Sequence, residues 1–172
     1  MIACLTLPTL DNRRSLLAIG WQGRSRLVRS FRVVARFPRS KDKSVPVLND
    51  PATVSEITAM SDLYETALGE NRLETLDRLF YDGPETVRYG VGENLYGADE
   101  IAAFRRARTG GSPPRTVLRR VITAIGPDVG TVDLEFQRVG STRIGRQSQT
   151  WIRTPDGWKV IAAHVSLMAD IS

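Results

Sequence analysis

Residues 87–97 place an arginine where a β-strand would favour valine or isoleucine. Arg88 lies between a valine and a tyrosine, and several glycines follow it within the same segment. A charged group that faces a protein core needs a partner of opposite charge. A guanidinium can clamp a carboxylate through two parallel hydrogen bonds and stays charged at any working pH. The segment therefore indicates either a structural ion pair, with Glu93 or Glu100 as the partner, or a site for an anionic ligand.

Tyr64 is a second candidate for a chemical role. It shares the apolar face of a predicted helix with Ile57, Met60 and Leu68. A tyrosine at such a position most often fills the core and bonds through its hydroxyl to a backbone carbonyl. If the hydroxyl instead faces a pocket near Arg88, it could act as a general acid or base, or polarise a carbonyl group. The sequence leaves both roles open.

Two candidates in the second half of the chain have structural explanations as well. His164 shares a face of a predicted strand with Val160, and a core or interface position is favoured over a contact with a ligand. Trp151 shares a strand face with Gln147 and Gln149, so it could wall a pocket or simply fill the core.

The remaining candidates for ligand contacts are Tyr89, Asn94, Tyr96 and Arg105. Turn chemistry explains Asn94 as well as ligand binding does. Arg105 and Arg108 are expected to be solvated on a predicted helix, and Arg105 is the better candidate for a second contact with an anion.

Several kinds of site are excluded by composition and motifs. The only cysteine is Cys4 and the only histidine is His164, which rules out a disulfide, a zinc site and a Cys–His dyad. No nucleophile elbow, S-x-x-K pair or phosphate-binding glycine loop occurs. We therefore expect no metal and no cofactor, so that an enzyme here would use water, acid and base groups, and fixed dipoles. No run approaches the roughly 18 apolar residues of a membrane span, and a cytoplasmic location is expected.

The positive charge of the chain is confined to residues 1–45. These residues contain ten Lys/Arg and two acidic residues, whereas residues 46–172 contain 14 Lys/Arg and 17 Asp/Glu. The net charge of +5 therefore gives no argument for nucleic-acid binding by the rest of the chain. Residues 1–45 are expected to be an unstructured extension, which an upstream start codon read as the true start would explain. A targeting peptide and a basic nucleic-acid-binding arm are the alternatives.

Residues 46–172 are expected to form one domain. Asp50 followed by Pro51 predicts the start of a helix, which is followed by a second, short helix, two short strands and a third helix. After Pro114, apolar and polar residues alternate in four long segments separated by turn signals. Helices followed by a strand meander predict the α+β class. A curved, mainly antiparallel sheet around three N-terminal helices would make a cone with a pocket at its open end.

Two stretches carry a resemblance to a known family: TVRYGVGENLYGADEIAAFRRAR, residues 86–108, and RIGRQSQTWIRTPDGWKVIAAHVSLM, residues 143–168. They resemble the AtzH/HpxZ-type family of the nuclear transport factor 2-like superfamily, which also includes SnoaL-type cyclases and ketosteroid isomerases. The resemblance runs from about residue 49 to the C-terminus. Residues 1–45 have no counterpart in it.

The resemblance implies a small bacterial protein linked with amidase-signature enzymes in nitrogen catabolism, of the oxalurate or cyanuric acid type. It implies hydrolysis, with loss of a carboxylate, of a small carboxylated urea such as 1,3-dicarboxyurea to allophanate. Tyr64 and Arg88 match the catalytic pair that the family implies.

Other roles and partners stay open beside this one. The alternative is a non-catalytic module that binds a ligand or supports a partner amidase. An isomerase would need an acidic base in the pocket, whereas Asp62 and Glu65 turn away from the helix face of Tyr64. The fold usually pairs two cones through the free face of the sheet, so a homodimer is expected.

Overall fold

The structure is a computed structural model and describes residues 46–169. The predicted extension, residues 1–45, lies outside the described residues. The helices are α1 (Pro51–Gly69), α2 (Leu73–Leu79) and α3 (Ala98–Ala107). The strands are β1 (Val87–Tyr89), β2 (Asn94–Tyr96), β3 (Arg115–Ile125), β4 (Val129–Arg138), β5 (Ile144–Thr154) and β6 (Gly157–Leu167). The predicted α+β class is confirmed, and no helix in the described range has the length and apolar character needed to cross a membrane.

Helix α1 begins where the sequence predicts. The Asp50 carboxylate accepts a hydrogen bond from the Thr53 backbone N–H at 3.0 Å, and Pro51 occupies the first helical turn. Both features stabilise a helix start, because the first N–H groups of a helix lack partners within it. The helix buries Ile57 and Tyr64 against the sheet and the shorter helices. Tyr64 is therefore held on the inner side of the fold.

The six strands form one sheet in the order β2-β1-β6-β5-β4-β3. Strands β3 to β6 are the predicted antiparallel meander, and only β1 pairs in parallel, with β6. One face of the sheet, the inner face, contributes Val132 and Leu134 to the same core as the helices. The intervening Asp133 is exposed on the opposite, outer face. This alternation follows from the period of two in a β-strand.

The strand register assigns neighbouring residues to opposite faces of the sheet. On the inner face, Arg88 of β1 pairs with Ala163 of β6, which pairs with Gln149 of β5. On the outer face, Tyr89 pairs with His164 in the same way. Arg88 therefore faces the helices, whereas Tyr89 faces away from them.

An irregularity in the register changes the faces along β6. Thr150 pairs with Ala162 but Trp151 pairs with Val160, so β6 carries one extra residue at this point, as in a β-bulge. Val160 is fully buried in the core, whereas His164 is exposed on the outer face. The prediction that Val160 and His164 share a face is wrong, because it assumed an unbroken alternation.

Candidate functional site

An open cleft on the inner side of the fold is the candidate site. Its cavity volume is about 30 Å³, and about 380 Å³ when the space that is open to solvent is included. Its lining comes from α1, α2, β1, α3 and the loop after α3. The lining residues are Tyr64, Leu68, Asn71, Leu73, Leu76, Arg88, Phe104, Arg105, Arg108, Gly111 and Ser112. Tyr64 and Arg88, which the sequence could place only on separate elements, thus face a common volume.

The Tyr64 side chain is buried and lines the cleft. The ring lies 6.4 Å from the ring of Phe80, measured between centroids. No hydrogen bond joins the Tyr64 hydroxyl to another residue of the range 46–169, so a ligand in the cleft is an available partner for it.

Arg88 has a carboxylate partner within the protein. Its Nη1 donates to Oε1 of Glu93 at 2.6 Å, and its side chain is 14% exposed. The guanidinium carbon also lies 5.3 Å from the centroid of the Phe104 ring. The ion pair with Glu93, one of the two alternatives that the sequence gives for Arg88, is therefore present. A single hydrogen bond to Glu93 still leaves most of the guanidinium N–H groups for a second acceptor.

Gly90 allows Glu93 to reach Arg88. Its backbone N–H donates to the Glu93 carbonyl at 2.7 Å, which closes the turn between β1 and β2. A Cβ atom at position 90 would overlap the Glu93 carboxylate. The missing side chain at position 90 thus leaves room for the Glu93 carboxylate, and the ion pair depends on it.

Arg105 lines the cleft, but its charge is already neutralised. Its Nη1 donates to Oδ1 of Asp77 at 2.8 Å, and its guanidinium lies 4.2 Å from the Phe80 ring centroid. Its side chain is only 10% exposed, so the prediction that it is solvated is wrong. Its position in a buried ion pair indicates a structural role in joining α3 to α2.

Arg108 is the cleft residue that sequence reasoning missed. It follows the last residue of α3 and has extended backbone angles, with φ −79° and ψ 103°. Its side chain is half-buried and lines the cleft. Burial lowers the pKa of the Arg108 guanidinium, the positive charge of Arg88 lowers it further, and Glu93 opposes both. Within the described range, no carboxylate lies within ion-pair distance of Arg108.

The other predicted contacts do not line the cleft. Tyr89, Asn94, Tyr96 and His164 are exposed, and the Tyr89 ring lies 6.0 Å from that of Tyr96 and 6.1 Å from that of His164. Hydrogen bonding with Tyr89, followed by the charge of Tyr89, raises the pKa of Tyr96. We name Tyr89, Tyr96 and His164 the outer aromatic cluster. Its placement does not support a contact with a ligand that Tyr64 and Arg88 share.

Trp151 lies in the core beneath the inner face. It is fully buried, and its Nε1 donates to Oε1 of Gln149 at 3.3 Å. This placement agrees with the interpretation that Trp151 fills the core.

The arrangement suits the binding and protonation of a small anion. Three arginines and Tyr64 line one cleft, of which Arg105 is neutralised by Asp77 and Arg88 pairs with Glu93. Guanidinium groups bind carboxylates, and a phenol can donate a proton or a hydrogen bond to a charge that develops in a reaction. Among residues 46–169, no three His, Cys, Asp or Glu side chains are placed so that they could hold a metal ion.

Comparison with protein families gives one match. The family model described as AtzH-like matches residues 46–171. Among curated proteins, none matches this chain.

Solved structures resemble the chain over most of its length. A protein of unknown function from the DUF3225 family of Pectobacterium atrosepticum is 48% identical, with a TM-score of 0.69 over 71% of this chain and 95% of that one. A cystatin-like fold protein from Burkholderia xenovorans is 44% identical, with a TM-score of 0.69 over 72% of this chain and 98% of that one.

A more distant structure bears on the fold alone. A nuclear transport factor 2-like superfamily protein from Salmonella enterica is 22% identical, with a TM-score of 0.57 over 70% of this chain and 94% of that one. The predicted nuclear transport factor 2-like fold is therefore confirmed.

Proposed function

Since this chain belongs to the AtzH-like family, we propose that it is a small hydrolase that removes a carboxylate from a carboxylated urea, such as 1,3-dicarboxyurea, to give allophanate. One observation carries the proposal: Tyr64 and Arg88 line the same cleft although they come from a helix and a strand far apart in sequence. The cleft is cationic and opens to solvent, which suits a small, anionic substrate.

In the proposed reaction, Arg88 binds a carboxylate of the substrate and Tyr64 protonates a nitrogen of the urea. Arg88 binds a carboxylate of the substrate and thereby orients the urea beneath the Tyr64 hydroxyl. The bond between the urea nitrogen and the departing carboxylate carbon breaks, and its electron pair stays on the nitrogen. Tyr64 gives its proton to that nitrogen and recovers one from water. Carbon dioxide leaves and is hydrated, so dicarboxyurea and water yield allophanate and bicarbonate.

Substrate binding requires Glu93 to share or leave Arg88. Glu93 lies on a glycine-containing turn, and its carboxylate is partly exposed, with a second contact of 3.2 Å only to the Gly92 backbone N–H. The pair is held by a single hydrogen bond of 2.6 Å, so it does not use the two parallel hydrogen bonds that a guanidinium can make to one carboxylate. A substrate carboxylate that makes two parallel hydrogen bonds to Arg88 can therefore replace the single one from Glu93.

A non-catalytic role is the second candidate, and two observations favour it. Arg88 already has a protein partner in Glu93, and the outer aromatic cluster is exposed on the free face of the sheet. Exposed aromatic groups are common where proteins associate. In this case the outer face would bind a second copy of the chain, as a homodimer, or a partner amidase of the same pathway.

The test uses the full chain and a substrate made in place. A carboxybiuret amidase releases 1,3-dicarboxyurea, and allophanate is followed with and without this protein. We expect acceleration by the unaltered protein and none by Arg88→Gln or Tyr64→Phe, with circular dichroism showing that both variants are folded. No acceleration over the spontaneous rate by the unaltered protein would contradict the hydrolase and favour the accessory role.

A further inference from the structure

We propose that Arg108 is a second carboxylate subsite of the cleft, so that the cleft selects dianions over monoanions. The identity of the dianion as a dicarboxylated urea rests on the proposed function. The existence of the subsite does not, because it is argued from the charges and contacts of the cleft alone.

The backbone around Arg108 directs its side chain inward. Helix α3 ends at Ala107, so Arg108 does not continue the helix face on which Arg106 is exposed. The following loop lies against the segment between α1 and α2. Gly111 has φ +69°, and a Cβ atom on it would come within 2.7 Å of the Asn71 side-chain oxygen. This close approach fixes the loop and makes Arg108, Gly111 and Asn71 parts of one wall of the cleft.

The three arginines of the cleft differ in their partners. Arg105 is neutralised by Asp77, and Arg88 by Glu93. Arg108 has no carboxylate partner among residues 46–169, although it is half-buried. A half-buried cation close to a second cation costs free energy unless an anion binds beside it. The empty cleft therefore has a place for one negative charge at Arg108.

A second position for a negative charge becomes available, at Arg88, when Glu93 moves away from it. The cleft then offers two guanidinium groups, one on β1 and one after α3, to the two ends of a single small molecule. Each charge-assisted hydrogen bond is about twice as strong as a neutral one. A ligand with a carboxylate at each end can engage both groups, whereas a monocarboxylate must leave one of them without a partner.

The same arrangement separates substrate from product. In the proposed reaction, a dianion enters and a monoanion remains after one carboxylate is lost. The product keeps one of the two guanidinium contacts, so its affinity falls when the reaction is complete. Glu93 can then return to Arg88, which favours release.

Isothermal titration calorimetry of the full chain with two stable acids tests the subsite. Glutarate has the same number of atoms between its carboxylates as 1,3-dicarboxyurea, and butyrate is the same chain without one carboxylate. We expect the unaltered protein to bind glutarate about tenfold more tightly than butyrate, as one further charge-assisted contact allows. Arg108→Gln should lower the affinity for both acids and remove this preference, because only Arg88 then remains to bind either acid, and Arg108→Lys should retain part of the preference.

Arg106→Gln is the matched control. It removes the same charge two positions away, from an exposed side chain that pairs with Asp77 at 3.1 Å and does not line the cleft. This variant should keep the preference for glutarate. Equal preference in Arg108→Gln and in the unaltered protein would overturn the subsite, as would equal affinity of the unaltered protein for the two acids.

The outcomes for the subsite and for the hydrolase are distinguishable. An Arg108-dependent preference for glutarate without any formation of allophanate would support the subsite and contradict the proposed hydrolase. Formation of allophanate by a protein whose glutarate preference does not depend on Arg108 would support the proposed hydrolase and contradict the subsite.

Discussion

The cleft and the outer aromatic cluster both use strand β1, from which they take consecutive residues. On β1, Arg88 faces the cleft and Tyr89 faces outward, and on β6 their partners Ala163 and His164 are divided in the same way. The outer residues are exposed, whereas the cleft concentrates half-buried cations beside a buried tyrosine. Adjacency in sequence is therefore a poor guide to a shared site, because a strand sends alternate residues to different environments.

Charged pairs on the two faces show the same contrast. On the inner side, Arg115 donates to Glu65 through Nε at 3.0 Å and Nη2 at 2.6 Å, and through Nη2 to Gln147 at 3.1 Å. Its side chain is 9% exposed. On the outer side, Arg119 of the same strand is 69% exposed and reaches Glu135 only at 4.0 Å. The inner pair has defined geometry and little solvent, so its loss should have a far larger effect.

The largest expected effect is on stability and concerns these two arginines. Arg115→Met leaves the half-buried Glu65 and the fully buried Gln147 without their partner. We expect this to lower the free energy of unfolding by about 3 kcal/mol. Arg119→Met should change it by less than about 0.5 kcal/mol. Urea denaturation of both variants measures the difference. Adding Glu65→Met to Arg115→Met should recover part of the loss, and similar values for both single variants would contradict the contrast between the faces.

The second largest expected effect is on kcat. The test removes the hydroxyl of Tyr64 on the inner side or that of Tyr89 on the outer face. Tyr64→Phe should lower kcat about 100-fold, because it removes the donor that acts on the developing charge, with a smaller change in KM. Tyr89→Phe removes the same atom from the outer face and should change neither constant. Allophanate formation gives both constants. A matching loss in Tyr89→Phe would mean that the two faces are not functionally separate.

A smaller effect concerns the ion pair at the mouth of the cleft. Gly90→Ala places a methyl group where the Glu93 carboxylate lies, so Glu93 should move off Arg88 and glutarate should bind several-fold more tightly. Gly90 does not have a positive φ, so its backbone accepts alanine. Calorimetry with Gly92→Ala is the control, because a Cβ atom at position 92 meets nothing within 4 Å. Unchanged or weaker binding by Gly90→Ala would show that Glu93 does not compete with ligands.

The smallest effect is expected for His164. Because it is exposed on the outer face beside Tyr89, His164→Ala should leave kcat/KM within about twofold of the unaltered protein, as surface changes usually do. The assay is run at several protein concentrations, so that weakened association of copies is separated from a change at the cleft. A large loss of activity that is independent of concentration would place His164 in the site after all.

Most of the fold could be predicted because its signals are local. Asp50 and Pro51 define the start of α1, and the period of apolar residues defines its buried face, including Tyr64. Alternation along β4 correctly separates Leu134 from Asp133. The bulge opposite Trp151 was not predicted, because one extra residue on β6 leaves no local mark in an apolar segment.

The site was harder to predict, because its contacts depend on where elements end. Arg108 was assigned to a solvated helix face, but α3 ends one residue earlier and the backbone becomes extended. Boundaries of this kind are uncertain by a residue or two in any sequence-based assignment. Arg105 meets Asp77, which lies 28 positions away, and no local pattern pairs them. By contrast, Glu93 lies five positions from Arg88 and was a foreseeable partner.

The carboxylate of Glu93 also has a consequence for which anions the protein ignores. A group tethered a few residues from its target acts as if it were present at roughly millimolar concentration. Small anions such as chloride or acetate therefore compete poorly for Arg88 when their concentration is lower than this. A ligand with two carboxylates is less limited, because its second carboxylate is itself tethered once the first has bound. The short tether between Glu93 and Arg88 thereby favours anions with two carboxylates over simple salts at this position.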